Sequence, residues 1–297
     1  MDVLTLNGIT KYYGRICALN NVSFSVPEGS VFGILGPNGS GKTTMLGIVM
    51  DILRPTSGSF TFMGQPASAA IRKRIGTLLE TPNFYHYLSA ERNLRIAAEI
   101  KGKGIEQISS VLQKVDLYQR KDSKFSTFSL GMKQRLAIAS ALLGDPDILV
   151  FDEPTNGLDP VGIAEIRELI KILATEGKTI IMASHMLDEV EKVCTHVAIL
   201  KMSNLITAGN VDEVLVNEDI VEAGSENMAQ LANVLASFTG YKEIKQQKDY
   251  LQIFFTTGSA DLQKINAHCF EHGVVLNHLR LKKKSLETKF LELTNKQ

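Results

Sequence analysis

Eight residues constrain this chain more than any others: Gly36-Pro37-Asn38-Gly39-Ser40-Gly41-Lys42-Thr43, which fit the pattern G-x-x-x-x-G-K-[ST]. A triphosphate packs several negative charges into a small volume. Backbone N–H groups surround it only where the chain curls tightly, and the glycines permit both that curl and a close approach of backbone to ligand. The context agrees. Val31-Phe32-Gly33-Ile34-Leu35 reads as a buried strand running into the loop, and a helix is expected from Lys42 to about Leu53, its positive end aimed at the same phosphates. In that arrangement Lys42 reaches the β- and γ-phosphates and the Thr43 hydroxyl binds Mg2+.

The rest of the chain supplies a sheet for such a loop. Residues 1–35 read as strands and turns broken by Gly14, Pro27 and Gly29. Ser59–Gly64 and Ile75–Glu80 read as further strands. From about Asn83 to Gly144 the periodicity turns helical, with helices expected near Ser89, over Ile105–Leu117 and over Ser129–Leu143. Strand and helix then alternate: Asp147–Asp152, Pro160–Ala174, Thr179–Ser184, Met186–Cys194 and His196–Lys201. This alternation predicts an α/β fold whose mostly parallel sheet carries helices on its faces and is interrupted by a helical insertion. After about residue 217 the character shifts to a smaller α+β segment, read as β-α-β-β-α-β-α, with Tyr250–Phe255 its clearest strand. The expected domains are therefore 1–217, with a helical subdomain at about 83–144, and 218–297.

Ile148-Leu149-Val150-Phe151-Asp152-Glu153 is a four-residue apolar run ending in two acids. A buried strand ending this way sets its carboxylates at the carboxyl edge of the sheet, beside the phosphate loop. Asp152 is expected to hold Mg2+, directly or through water, and Glu153 to polarise the attacking water as general base. Acids often end strands, so the pairing with the phosphate loop gives this motif its weight. His185 ends the Thr179–Ser184 strand, which is expected beside the Asp152 strand; that brings its imidazole to the γ-phosphate.

Composition narrows the classes. Lys plus Arg and Asp plus Glu are both 32, so no net positive field favours nucleic acid, and none is expected as partner. No apolar run approaches the roughly 18 residues that span a bilayer, and the first residues lack the pattern of a secretory signal. Cys17, Cys194 and Cys269 are odd in number and far apart, which suits reduced thiols better than disulfides or a metal site. Lys282-Lys283-Lys284 reads as a solvated face.

Phe128-Ser129-Leu130-Gly131-Met132-Lys133-Gln134-Arg135 resembles the LSGGQ signature of the ABC ATPases and lies, as in that family, between the phosphate loop and the Asp-Glu strand. The family order continues with Gly157-Leu158-Asp159, which resembles the D-loop, and His185. Tyr13, in Lys11-Tyr12-Tyr13-Gly14, matches the aromatic that stacks on adenine. The resemblance covers about residues 1–215. It implies a P-loop ABC ATPase core with an N-terminal antiparallel β region and a helical subdomain, ATP and Mg2+ as cofactors, and a head-to-tail dimer, homo- or heteromeric. In that dimer Lys42, Glu153 and His185 carry catalysis. Nucleotide contacts come from Tyr13, Gly36, Pro37, Asn38, Gly39, Ser40, Gly41, Lys42, Thr43, Thr44 and Asp159. Ser129 and Gly131 reach the γ-phosphate in trans, and Thr43, Asp152 and Glu80 surround the metal. ATP closes the dimer and hydrolysis reopens it.

Two departures stand out. Leu130 and Met132 replace the signature's Gly and Gln, while Ser129 and Gly131 are kept. Glu80 stands where the family usually has Gln, adding a charge that either binds the metal more firmly or faces solvent. Glu80, the signature and the stretch Ser285–Thr294 are similar to bacterial exporters of the bacitracin and lantibiotic resistance type. That resemblance implies separate membrane permease subunits, a place on the cytoplasmic face of the membrane, and docking through Asn83–Arg92, where Phe84, Tyr85 and Tyr87 serve either as partner contacts or as local core. A soluble ABC protein of translation or DNA repair is the competing reading. The single ATPase cassette and the 48 residues between Glu80 and Ser129, too few for a long coiled coil, weigh against it. A non-hydrolysing regulatory subunit is disfavoured by the presence of Lys42, Glu153 and His185.

Overall fold

The computed structural model describes residues 1–79, 83–215, 219–256, 258–283 and 290. The chain divides into two compact units, Met1–Val211 and Asp212–Gln297.

The first unit begins with β1 (Asp2–Tyr13) and β2 (Ile16–Pro27), a long hairpin turned at Gly14-Arg15. There follow β3 (Val31–Leu35), α1 (Lys42–Val49), β4 (Ser57–Phe62), β5 (Gln65–Pro66), α2 (Ala69–Arg72) and β6 (Ile75–Leu78). Three helices come next: α3 (Ala90–Lys101), α4 (Ile108–Lys114) and α5 (Leu130–Leu142). The unit ends with β7 (Ile148–Asp152), α6 (Pro160–Thr175), β8 (Thr179–Ser184), α7 (Leu187–Val193), β9 (His196–Lys201) and β10 (Asn204–Asn210).

These strands form two sheets. One is antiparallel, in the order β2-β1-β4-β5; the other runs β10-β9-β3-β8-β7-β6. In the second sheet β9, β3, β8, β7 and β6 are parallel, and β10 adds an antiparallel edge. Every residue of β3, β7 and β8 is buried, as near-continuous apolar runs require once crossover helices cover both faces. One core joins the two sheets: Leu4, Leu6, Leu19 and Val26 of the hairpin pack with Met45 and Ile48 of α1 and with Phe32, Val150 and Ile181 of the parallel sheet. Each such side chain contributes roughly 1.5–3 kcal/mol.

The helices start where their caps dictate. Ser89 and Ser129 each accept a hydrogen bond from the backbone N–H three residues on, at Arg92 and Met132, and Asp159 accepts one from Gly162. Gly102, at φ 69°, ends α3. Helix α1 stops at Val49, four residues short of the expected Leu53. Asp51 takes a left-handed conformation (φ 60°), and the N–H groups of Asp51 and Ile52 donate back to Ile48 and Gly47, a hydrogen-bonded stop that a sequence pattern does not announce.

The second unit begins with the short α8 (Val211–Leu215), whose first residue still belongs to the preceding unit, and continues with β11 (Asp219–Ser225), α9 (Met228–Ala236), β12 (Tyr241–Gln246), β13 (Leu251–Phe255), α10 (Leu262–Glu271) and β14 (Leu276–Lys283). Its sheet is antiparallel, in the order β12-β13-β11-β14. This is the β-α-β-β-α-β split arrangement of ferredoxin-like folds. Alternate residues of the central strands, Val221, Ala223, Leu251, Ile253 and Phe255, pack on Leu231, Leu235, Ile265 and Cys269 of the two helices. The observed order agrees with the sequence reading up to β14; the final helix expected there lies, apart from residue 290, outside the described residues. Among the described residues no helix is long and apolar enough to cross a membrane.

Candidate nucleotide-binding site

The parallel register assembles the site. Leu35 at the end of β3 is level with Ser184 at the end of β8, and Asp152 at the end of β7 is level with Ala183. The carboxyl ends of three adjacent strands therefore lie side by side, so the phosphate loop, Glu153 and His185 leave the sheet at one edge. They border a cavity of about 390 Å3, lined by Lys42, Thr43, Thr44, Glu153, Asn156 and His185 together with the start of β2 and part of the loop.

The loop can follow its path only with glycine at its tightest points. A Cβ at Gly36 would lie 2.4 Å from the Leu200 carbonyl, and one at Gly41 would lie 2.4 Å from the Ala18 carbonyl. Gly41 is also the N-cap of α1, and no side chain caps the helix. Its first N–H groups are thus left for a ligand, at the positive end of the helix dipole. Lys42 is 6% exposed, and its Nζ donates to the carbonyls of Gly36 at 2.8 Å and Pro37 at 3.3 Å. The Ser40 hydroxyl is buried and has no hydrogen-bond partner among the described residues.

Glu153 follows β7 with φ at 49°, a left-handed conformation that costs a non-glycine residue roughly 1–3 kcal/mol. Its N–H donates to the Ala183 carbonyl at 3.0 Å, which fixes the turn. One carboxylate oxygen lies 3.6 Å from Lys42 Nζ and the other 2.8 Å from His185 Nδ1. A carboxylate only accepts, so the Nδ1–H of His185 donates. Asp152 is 5% exposed. Its carboxylate and the Thr43 hydroxyl are the hard oxygen donors that Mg2+ takes, and a hydroxyl with one or two carboxylates suits a metal that keeps several waters. The expected third donor, Glu80, lies outside the described residues.

Other expected residues stand apart from this cavity. Tyr13 pairs with Ile16, which lines the cavity; its ring is 45% exposed, with Lys11 Nζ 5.1 Å from its centroid. Ser129, Gly131 and Asp159 form a second group. Ser129 caps α5 and Asp159 caps α6. Between them Leu130 sits over Gly157, where a Cβ would be 3.3 Å away, and the Leu158 side chain lies against Gly131. The sequence reading overlooked Asn156 and Cys17 as cavity residues. Asn156 has a signal after the fact, since its N–H donates to the Glu153 carbonyl and closes the turn beyond the acids; Cys17 has none, because it arrives through hairpin pairing.

Comparison with known proteins agrees with this architecture. The ABC transporter family profile matches residues 19–156. The chain is 32% identical to the bacitracin transport ATP-binding protein BcrA of Enterococcus faecalis over 98% of its own length and 96% of the relative's. It is 38% identical to the lantibiotic transport ATP-binding protein SrtF of Streptococcus pyogenes, over 78% of this chain and 96% of that one. Among solved structures it resembles the ATP-binding cassette MJ0796, a dimer in a post-hydrolysis state bound to ADP and Pi, with TM-score 0.63 and 28% identity, over 70% of this chain and 98% of the other. By sequence and by fold, this chain belongs to the ATP-binding proteins of ABC transporters and is an ATPase of that family.

Proposed function

We propose that this chain is the ATP-hydrolysing subunit of an exporter whose membrane path is a separate permease, and that its cargo is an antimicrobial peptide or a related drug. The observation that carries the ATPase mechanism is the grouping of Lys42, Glu153 and His185 around one cavity at the end of three strands. ATP would lie with its phosphates against the loop and the free N–H groups of α1, and with adenine against Tyr13. Lys42 offsets charge on the β- and γ-phosphates. Thr43, Asp152 and, in the expected arrangement, Glu80 would hold Mg2+, which would supply further charge neutralisation. Glu153 accepts a proton from the water that attacks the γ-phosphorus, and His185 holds the carboxylate in place through Nδ1–H. ADP leaves with the electron pair of the broken P–O bond, and the water oxygen becomes part of phosphate.

Support for the transport reading comes from BcrA and SrtF, named for bacitracin and lantibiotic transport. The MJ0796 dimer supports pairing of two such chains, with Ser129, Gly131 and Asp159 of one serving the nucleotide of the other. A docking place for the permease is supported by a cavity of about 590 Å3 lined by Leu78, Leu79, Phe84, Tyr85, Ile96 and Ile100. It takes in Asn83, Phe84 and Tyr85 of the Asn83–Arg92 stretch, and its mixed lining, with Thr77, Asn93 and Ser140 beside the apolar side chains, suits an inserted amphipathic helix. The chain would then sit at the cytoplasmic face of the membrane, held there by its partner. The test is capture of a tagged Glu153→Gln chain from detergent-solubilised native membranes in Mg-ATP. A multi-helix membrane protein in stoichiometric yield supports the reading; recovery with ribosomes, with DNA or alone overturns it.

A further inference from the structure

A third cavity of the first unit, about 270 Å3, lies between α2, β6 and the C-terminal ends of α3 and α5. Four cations line it, Arg72, Lys73, Lys101 and Lys103, and among the described residues no carboxylate does. The partners of these cations decide what charge the cavity keeps. Arg72 is matched by Asp51 at 2.8 Å. Lys101 is different: its Nζ donates to the carbonyls of Ser140 (2.6 Å), Ala141 (3.2 Å) and Leu143 (3.3 Å) at the end of α5. Lys103 donates to the Gly144 carbonyl at 2.9 Å. A carbonyl satisfies an N–H but carries no net charge, so both ammonium groups keep theirs. The nearby acid Asp145 is hydrogen-bonded to Lys178 and offsets the charge of Lys103 only through space.

Like charges gathered around a concavity repel one another most where burial has removed water. Lys101 registers this. Burial first, and the charge of Lys103 second, push its ammonium down to about 8. The floor is apolar, from Ile75 and Leu143, and Ile100 stands at the rim with 82% of its surface exposed.

We propose that this cavity is an anion site for a phosphate monoester, its dianion held by Lys73 and Lys103 and its carbon chain laid along Ile75 and Ile100. The charge of Lys101 stands behind the two lysines, while its own N–H groups stay on the carbonyls at the end of α5. The same chemistry is offered by a small soluble phosphate ester and by the monoester headgroup of phosphatidic acid. The site is distinct from the nucleotide cavity and does not depend on the transport reading.

The test uses the full chain carrying Lys42→Ala, so that the phosphate loop does not compete, or the wild-type chain saturated with ADP should that variant fail to fold. It is titrated calorimetrically with glycerol 3-phosphate. In parallel it is sedimented with vesicles of phosphatidylcholine alone and of phosphatidylcholine containing phosphatidic acid. Lys73→Glu, an exposed change, is the control. One glycerol 3-phosphate per chain, weakened at least tenfold by Lys73→Glu, assigns the site to soluble esters. Sedimentation that needs phosphatidic acid and is lost in Lys73→Glu assigns it to the headgroup, and both results together assign it to either source. No binding in either arm, or binding that Lys73→Glu leaves unchanged, overturns the proposal.

Discussion

Two glutamates in this chain have the same kinds of neighbour and different settings. Glu153 lies between Lys42 and His185; Glu222 lies between Lys282 and His278, each at 3.5 Å, and also accepts from the Gln252 amide at 3.3 Å. Glu222 is in the middle of β11, its side chain 9% exposed, with its cross-strand neighbours closing around it. Glu153 stands just past the end of β7, in a left-handed turn, facing a cavity. The first arrangement satisfies the carboxylate with partners fixed by strand pairing. The second holds it in a strained turn over open space. The residue set does not make a site; its position at the end of a buried strand, opposite free backbone donors, does.

The largest test of that contrast is catalytic. Glu153→Gln removes the proton acceptor and is expected to lower phosphate release roughly 10³-fold while ATP still binds. Glu222→Gln, in the matching position of the other trio, is expected to leave steady-state hydrolysis within about twofold, because it touches nothing that lines the nucleotide cavity. Undiminished turnover in the first variant would remove Glu153 from the mechanism. Next in size is His185→Ala. It deletes a hydrogen bond to a charged carboxylate, an interaction of about 1.5–3 kcal/mol, and hydrolysis is expected to fall by about 10- to 100-fold. His185→Gln, which retains a donor, should recover part of the loss in the same assay; equal rates for both variants would mean that His185 does not orient Glu153.

How much of this could be read beforehand follows from the same distinction. The phosphate loop, the Asp152-Glu153 strand and the Ser129 cap are written in contiguous residues, because each depends on local backbone geometry and a few neighbours. Strands β8 and β9 agree with their expected limits, as their apolar runs are bounded by polar residues on both sides. The antiparallel edge β10 was not anticipated: Asn204–Asn210 is only partly buried and alternates weakly, so its pairing with β9 is set by the turn at Met202-Ser203, both with positive φ. The cavity of lysines was equally invisible. Lys73 and Lys101 are distant in sequence and meet only because β6 lies under α3 and α5.

Strain gives a smaller and opposite effect on stability. Glycine occupies a left-handed turn without the steric cost that Glu153 bears, so Glu153→Gly should abolish hydrolysis yet raise stability by about 1 kcal/mol. Glu222→Gly, in an extended strand and with its hydrogen bonds lost, should lower it. Thermal unfolding of both variants checks the signs, and a destabilised Glu153→Gly chain would mean that the contacts of Glu153 outweigh its backbone strain.

The last and smallest effect belongs to pH. Burial draws the Glu222 carboxyl upward, but the Gln252 hydrogen bond, the charge of Lys282 and the hydrogen bonds from His278 and Lys282 outweigh it and hold the group below the usual carboxylate range. A carboxylate with its folded value depressed adds stability that is present above its unfolded value, roughly 4.3, and is lost as pH falls through the folded one. Glu222→Gln should therefore weaken the second unit at pH 7 by about 1 kcal/mol, the worth of a hydrogen bond to a charged group less the part its amide retains. That difference should shrink as pH falls below roughly 4.3 and the wild-type carboxyl takes up its proton. Because the two units need not unfold together, the measurement is amide exchange on β11 and β13 rather than a global melt. A deficit in protection that is the same at both ends of this range would show that Glu222 acts through packing, and its likeness to Glu153 would then be one of composition alone.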